Sequence, residues 1–279
     1  MDYINRSTII GLIAVWGETA PLLKLIEVKT TTERLQARFH TGALSGHDIV
    51  LAELGPGKVQ TAAATQHLID HYGVGLIMSC GSAGALDPDL QVGDVILVEK
   101  VVVHDAGIHS NKGFQYMGIY NNAHPDGLHY HRYLSADPVL LTTAQQAIPS
   151  LKTGCLASGD QVIASEKKKH WLAETFEAVA VEMESGAMAQ VAFLNNIPWL
   201  AIRAISDQAD STLDFGLENM ITYSDEPSSL PSTIRQTAGK VVTLARQPSH
   251  VKTLWQLRQG VKLAAQNAAQ VTAEVVGRF

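Results

Sequence analysis

The chain has only two cysteines in 279 residues, Cys80 and Cys155, and both lie in apolar, strand-like segments. Buried free thiols are therefore expected in place of a disulfide. Long apolar runs are also missing. The longest are strand-sized and broken by glycine or charge, so no segment is expected to span a bilayer. The opening MDYINRS carries an acid at its second position and no apolar stretch before a small-residue cleavage site. A secretory signal is not expected, and a cytoplasmic location is. There is no basic stripe: 21 basic residues stand against 27 acidic ones, a formal net charge of −6. Nucleic acid and anionic membrane are thus not expected partners. No internal repeat or low-complexity tract is present. What remains is 46% apolar and 17% charged, the make-up of a compact globular protein able to bury a substantial core.

Read in order, residues 8–15 (TIIGLIAV) form a β-branched apolar run that predicts a strand covered on both faces. Glu18 follows, just before a helix opened by Pro21, at the strand end where open α/β sheets place ligands. Residues 36–53 alternate around a Ser45-Gly46-His47 turn and predict two antiparallel strands. Gly57-Lys58 invites comparison with a phosphate loop, but Val59 stands where Ser or Thr is required; a tight turn into a helix over 58–71 is expected instead. Strands are predicted at 73–80, 95–103, 153–158, 177–182 and 198–205, and residues 81–84 (GSAG) as a loop after the first of these. Residues 105–135 show neither period; a lid, or an arm reaching a neighbouring subunit, is expected there. His104, His109, His124, His129 and His131 lie in or beside this stretch, but their spacing fits no standard metal pattern, so no metal is expected. Lys167, Lys168 and Lys169 predict a solvated helix face. After a linker (SDEPSSLPS), helices are predicted near 232–246 and 250–276, the second with an apolar stripe through Leu254, Leu257, Val261, Ala265, Ala268, Val271 and Val275.

The chemistry gathers between Val181 and Asp210. Glu182-Met183-Glu184 ends one strand and starts a small-residue helix, and the next strand delivers Arg203, Ser206 and Asp207. Two acids from a helix start and a strand end are placed to converge on one pocket. Glu182 alternates with Glu184 across Met183 and is expected to be structural.

Four segments together resemble the methylthioadenosine/S-adenosylhomocysteine nucleosidase branch of the nucleoside phosphorylase superfamily: the strand leading to Glu18, GSAG at 81–84 with VGD at 92–94, SGD at 158–160, and VEME at 181–184 with RAISDQAD at 203–210. The resemblance implies a three-layer α/β/α fold with a central mixed, partly barrel-like sheet. It implies a single domain over 1–279, with a core over about 8–245 and an extra C-terminal helix near 250–276. It implies a homo-oligomer, usually a dimer, in which a neighbour helps close each site. The implied reaction is hydrolysis of a purine nucleoside's N-glycosidic bond without a cofactor, as in methionine salvage. Asp207 matches the acid that protonates the purine, and Glu18 the carboxylate that deprotonates the attacking water. Glu184 matches the residue that holds the ribose hydroxyls, with Met183 packing on the sugar. Arg203 and Ser82 match residues near the water, and Arg203 is also suited to orienting Glu18 or Glu184. Ser206, Val162 and Ile163 match the purine edge, and Phe215 the wall of the 5′ pocket.

The sequence departs from the pattern at Trp16, where the family is usually polar or acidic, and at Val162, where an aromatic ring usually stacks on adenine. The 105–135 stretch is longer than usual, which suits a larger 5′ substituent such as that of futalosine-type nucleosides. Two other readings compete. A phosphorylase needs early arginines for phosphate, and only Arg34 and Arg38 lie between Glu18 and GSAG, in what reads as helix end and strand. A non-catalytic, storage-like nucleoside binder would not need Glu18, Glu184 and Asp207 together.

Overall fold

The computed structural model describes residues 8–121, 129–210 and 248–279. Its sheet is organised by one long strand, β5 (Leu76–Ala85). The first half of β5 runs parallel to β1 (Ile10–Val15), and its end pairs antiparallel with β13 (Ala178–Glu182). Along its other edge β14 (Trp199–Asp207) runs parallel to it, from Trp199↔Ile77 to Asp207↔Gly84. β14 then pairs with β6 (Val95–Val103), β6 with β12 (Lys152–Ser158), and β12 with β13. These strands close into a barrel-like ring. From β1 the sheet fans outward through β4 (His47–Leu54) and β3 (Ala37–Leu44) to β2 (Glu27–Arg34). Register shifts at Gly154/Cys155, Cys155/Leu156 and Ile205/Asp207 fall in the ring strands, where bulges supply the bend that closure needs.

Helices cover both faces. α2 (Lys58–Tyr72) and α5 (Ser185–Asn195) pack together on one side. On the other lie α1 (Thr19–Leu23), α3 (Pro138–Ala147) and α6 (Pro248–Val276), the last packed against β14 and β5. α4 (Glu166–Phe176) covers β12 and β13. The expected three-layer α/β/α arrangement with a mixed, partly barrel-like sheet is therefore the one formed. β1 and β5 read as unbroken apolar runs because both of their faces are covered, and Ile10, Leu12, Ile77 and Met78 are inaccessible. Cys80 and Cys155 are buried and unpaired. Burial pushes their thiols up, to about 11 and about 12, so both stay protonated and inert.

Several elements differ from the sequence-based expectations. GSAG is not a loop: all four residues belong to β5, because β14 and β13 pair with them there. The stretch at 27–34 is a strand rather than a helix end. Every residue of β2 is exposed, so it shows no apolar alternation; its Thr-rich, β-branched content favours the extended chain instead. The non-periodic 105–135 segment contains two hairpins, β7–β8 (Gly107–Ser110 and Gly113–Tyr116) and β9–β10 (Ile119–Asn121 and His129–His131), followed by β11 (Leu134–Ser135). The first hairpin is fastened to α4 by aromatic edges, with Phe114 5.9 Å from Trp171 and Tyr116 4.9 Å from Phe176. Lys168, expected in solvent, lies 3.9 Å over the Trp171 ring, whereas Lys167 is exposed. α3 was not anticipated, although Asp137 caps it by accepting from the Val139 and Leu140 N–H groups and proline occupies its first turn. In α6 the buried face runs through Ala264, Ala265, Ala268, Ala269, Val275 and Val276. Leu257, Val261 and Val271 are half-buried at its margin. Small alanines let the helix lie close to β14 and β5. The predicted 232–246 helix, the linker before it, and Phe215 fall outside the described residues.

The histidines do not converge. His124 lies outside the described residues, His109 faces Phe114 and His131 faces Phe193. Just past β6, His104 is 0% exposed, and neither of its ring nitrogens has a hydrogen-bond partner among the described residues. Burial pushes its pKa down to about 4, against a smaller upward pull from Asp105. Between pH 6.5 and 4 the unfolded chain therefore binds the extra proton, and stability is lost as pH falls through that window. The contribution is about 3 kcal/mol across the window. Glu184, whose carboxyl is raised (below), acts with the opposite sign, so the wild-type profile alone does not isolate His104. The difference from His104→Leu does: in denaturant unfolding at pH 7 and pH 4.5, the variant is expected to lose about 2 kcal/mol less than the wild type. Equal losses in the two proteins would refute this.

Candidate active site

The site is built where strand ends meet. The register places Val181 of β13 and Asp207 of β14 on either side of Gly84 in β5. β1 ends at Val15 beside the end of β4, and the Trp16 N–H donates to the Leu54 carbonyl at 2.9 Å. Around this junction lies a cavity of about 230 Å³. Glu18, Ser82, Val162, Ile163, Met183, Glu184, Ser206 and Asp207 all line it. Every site residue named from the sequence is thus gathered there, with two exceptions: Phe215, outside the described residues, and Arg203.

Glu18 is held by one residue of β5. The Ser82 N–H donates to Oε2 at 2.8 Å, and the Ser82 hydroxyl donates to Oε1. Both carboxylate oxygens are fixed while the group still faces the cavity. Gly81 makes this possible: a Cβ there would stand 2.7 Å from Glu18 Oε2 and 2.4 Å from Arg203 Nη1, so any side chain would displace one of them. Asp207 is oriented by the Ser206 hydroxyl, which donates to Oδ2 at 2.7 Å, and by the Ala209 N–H, which donates to Oδ1 at 2.9 Å.

Arg203 does not line the cavity. It is 1% exposed and sits behind the carboxylates as their shared cation. Its Nη2 lies 2.5 Å from Glu182 Oε2 and 3.8 Å from Glu184 Oε2, and donates to the hydroxyls of Ser79 and Ser185. Glu182 is fully engaged: besides Arg203, it accepts from the Glu184 and Ser185 N–H groups at the start of α5. This is the structural role expected of it.

Glu184 differs from Glu182. Among the described residues it accepts one N–H, from Gly57 at 3.0 Å, and Arg203 stands farther off. Burial, reinforced by the charge of Glu182, pushes its carboxyl well above the usual range, to about 7, while Arg203 and the Gly57 N–H pull it down. A buried carboxylate with spare acceptor capacity, facing a cavity and ionising near neutrality, is suited to binding paired hydroxyls.

The cavity also takes in residues that the sequence did not single out. Gln161 adjoins Val162 and could have been found by adjacency, and Val15 ends the strand that leads to Glu18. Pro56 comes from the tight turn before α2. Val261 arrives from α6, and no local signal marks it. Among the described residues, no lysine or arginine lines the cavity.

A ring-closed mixed sheet that brings carboxylates from separate strand ends to one mouth defines a class, and the family model of the phosphorylase superfamily matches residues 9–230. The chain is 31% identical over 229 residues to a 5′-methylthioadenosine/S-adenosylhomocysteine nucleosidase of Mycobacterium tuberculosis, covering 74% of this chain and 89% of the relative. The solved structure of the S. pneumoniae nucleosidase of the same name, with a transition-state inhibitor, superposes with a TM-score of 0.73 at 26% identity, over 97% of this chain and 99% of that one. The futalosine hydrolase of Helicobacter pylori gives a TM-score of 0.73 at 23% identity, over 98% and 99% of the two chains, a likeness of fold alone. The chain belongs to the phosphorylase superfamily and, within it, to the methylthioadenosine/S-adenosylhomocysteine nucleosidase branch.

Proposed function

We propose that the protein hydrolyses the N-glycosidic bond of a 5′-modified purine nucleoside, methylthioadenosine or S-adenosylhomocysteine, and releases the free base. The observation that carries this reading is the placement of Glu18, Glu184 and Asp207 around one cavity. Glu18, held by Ser82, takes a proton from water as the water oxygen bonds to the anomeric carbon. Asp207 protonates the departing purine as the C–N bond breaks. Glu184 accepts from the two ribose hydroxyls and sets negative charge beneath the developing oxocarbenium ion. The proton gained by Glu18 and that lost by Asp207 are re-equilibrated through solvent. Val162, 56% exposed at the cavity rim, gives the purine an apolar edge in place of a stacking ring. Methylthioadenosine turnover would place the enzyme in methionine salvage. The same reading makes the protein a cytoplasmic homodimer; Val59 of α2 and Leu194 of α5, 80% and 64% exposed, offer apolar surface for the contact.

Water rather than phosphate is favoured because no cation lines the cavity among the described residues and Arg203 is consumed by Glu182 and the serines. The test is a panel of purine nucleosides with varied 5′ groups, assayed for base release with and without phosphate. Free base and free 5-substituted ribose are expected in both conditions. Ribose 1-phosphate formed only with phosphate would overturn the hydrolytic reading, and nucleoside binding without base release would overturn catalysis altogether.

A further inference from the structure

The turn between β4 and α2 fails as a phosphate loop and reads from the sequence only as a tight turn into a helix. Its Gly57 has φ of 103°, a conformation that side chains disfavour, and it aims its N–H at Glu184 Oε1. The next residue is fastened twice. The Lys58 N–H donates to Asp160 Oδ1 at 2.8 Å, and the Lys58 ammonium donates to both oxygens of Asp105 at 2.7 Å. Asp105 also accepts from the Asp160 N–H at 3.0 Å. Three strand ends, of β4, β6 and β12, are thereby tied together beside the cavity. The pair is half-buried: the Lys58 and Asp105 side chains are 31% and 12% exposed. Although burial pushes Asp105 up, the Lys58 ammonium and the Asp160 N–H hold its carboxyl below the usual range.

We propose that the Lys58–Asp105 pair is a positioning device for Glu184, holding the turn so that the Gly57 N–H remains on the carboxylate that receives the ribose. The inference rests on the reading of Glu184 as the ribose-binding group. The groups facing Glu184 are Glu182 from β13, Arg203 from β14 and Glu18 after β1. Of these only Arg203 favours its ionised form, so among the described residues the Gly57 N–H is the one uncharged donor that helps keep it ionised. Lys58 and Asp105 act on Glu184 only through that N–H, and His104 beside them stays neutral.

The test reads Glu184 directly. Protein labelled with 13C at glutamate carboxyls is titrated, with the Glu184 signal assigned by its absence in Glu184→Gln. In Lys58→Met and Asp105→Asn the midpoint is expected to rise by about one pH unit, the size set by losing one hydrogen bond to a carboxylate. Lys58→Arg, which keeps a cation within reach of Asp105, is expected to restore most of it. The acid limb of kcat/KM should move up by the same amount, with the larger change in KM. An unmoved midpoint in a folded Lys58→Met or Asp105→Asn protein overturns the proposal. If Lys58→Met does not fold, Asp105→Asn, which keeps hydrogen-bonding atoms in place, decides on the same criterion. The titration needs no substrate. Failure of the wild type to release base would count against the proposed function, whereas an unmoved midpoint counts against this inference.

Discussion

Asp207→Asn is expected to lower base release by about three orders of magnitude, the mid-range for loss of a positioned general acid. KM should change little, because Asp207 acts on the leaving purine while the ribose is held by Glu184. The substitution is nearly isosteric, but two donors now converge on Asp207, the Ser206 hydroxyl and the Ala209 N–H. An amide accepts only through its oxygen, so that oxygen keeps the Ala209 N–H while the Ser206 hydroxyl loses its charged acceptor and turns to the Ala83 carbonyl, 3.3 Å away. The residue is half-buried, so the expected cost in stability is about 1 kcal/mol. The diagnostic comparison uses two substrates. With a purine nucleoside the variant should be crippled. With a ribosyl substrate whose leaving group departs as a stable anion, the variant should keep most of its wild-type rate, since that bond breaks without a proton donor. Equal loss on both substrates would reassign Asp207 from proton donation to positioning.

Glu18, Glu184 and Asp207 are legible in the sequence because each follows an apolar run long enough to be a strand covered on both faces. A polar side chain at the end of such a run emerges where ligands bind. The closing of the ring is not legible, because β13 meets β5 across almost a hundred residues and pairs with it for only two register positions, Ala180↔Ala85 and Val181↔Gly84. That pairing, with β14, is what turns GSAG from an apparent loop into strand. Arg203 shows a second limit. Strict alternation along β14 would send Ser206 and Asp207 to opposite faces, yet both line the cavity. The irregularity between Ile205 and Asp207 resets the alternation, and sequence periodicity carries no sign of it. Since β14 is also covered on both sides, an arginine within it reads equally as a ligand for substrate or as a buried counter-ion. The structure decides for the counter-ion. β2 and the two hairpins escape for the opposite reason: their side chains are largely solvated, so no hydrophobic period is written into them.

Arg203→Met is expected to destabilise the fold by about 3–5 kcal/mol, lowering the melting temperature by roughly 10 °C. Most of this cost lies in what is left behind. The guanidinium is 1% exposed and bonded to Glu182, Ser79 and Ser185, with Glu184 at 3.8 Å. Methionine fills much of the volume but leaves two buried carboxylates facing each other without a cation. Glu184 then shifts further towards its protonated form, since burial and the charge of Glu182 no longer meet the opposing charge of Arg203. A group whose folded pKa is raised stabilises the fold at low pH, and that stability is lost as pH rises through the folded value. The deficit of Arg203→Met relative to the wild type should therefore be large at pH 8 and smaller at pH 5, in denaturant unfolding at both. Adding Glu182→Gln should recover part of it at pH 8, because the amide oxygen can still accept from the N–H groups that begin α5 while one uncompensated charge is gone. Arg203→Lys keeps the charge but loses the fork that reaches several acceptors, and should fall between wild type and Arg203→Met. A deficit that is the same at both pH values, with no recovery from Glu182→Gln, would mean that Arg203 contributes packing alone and that Glu182 and Glu184 do not depend on its charge.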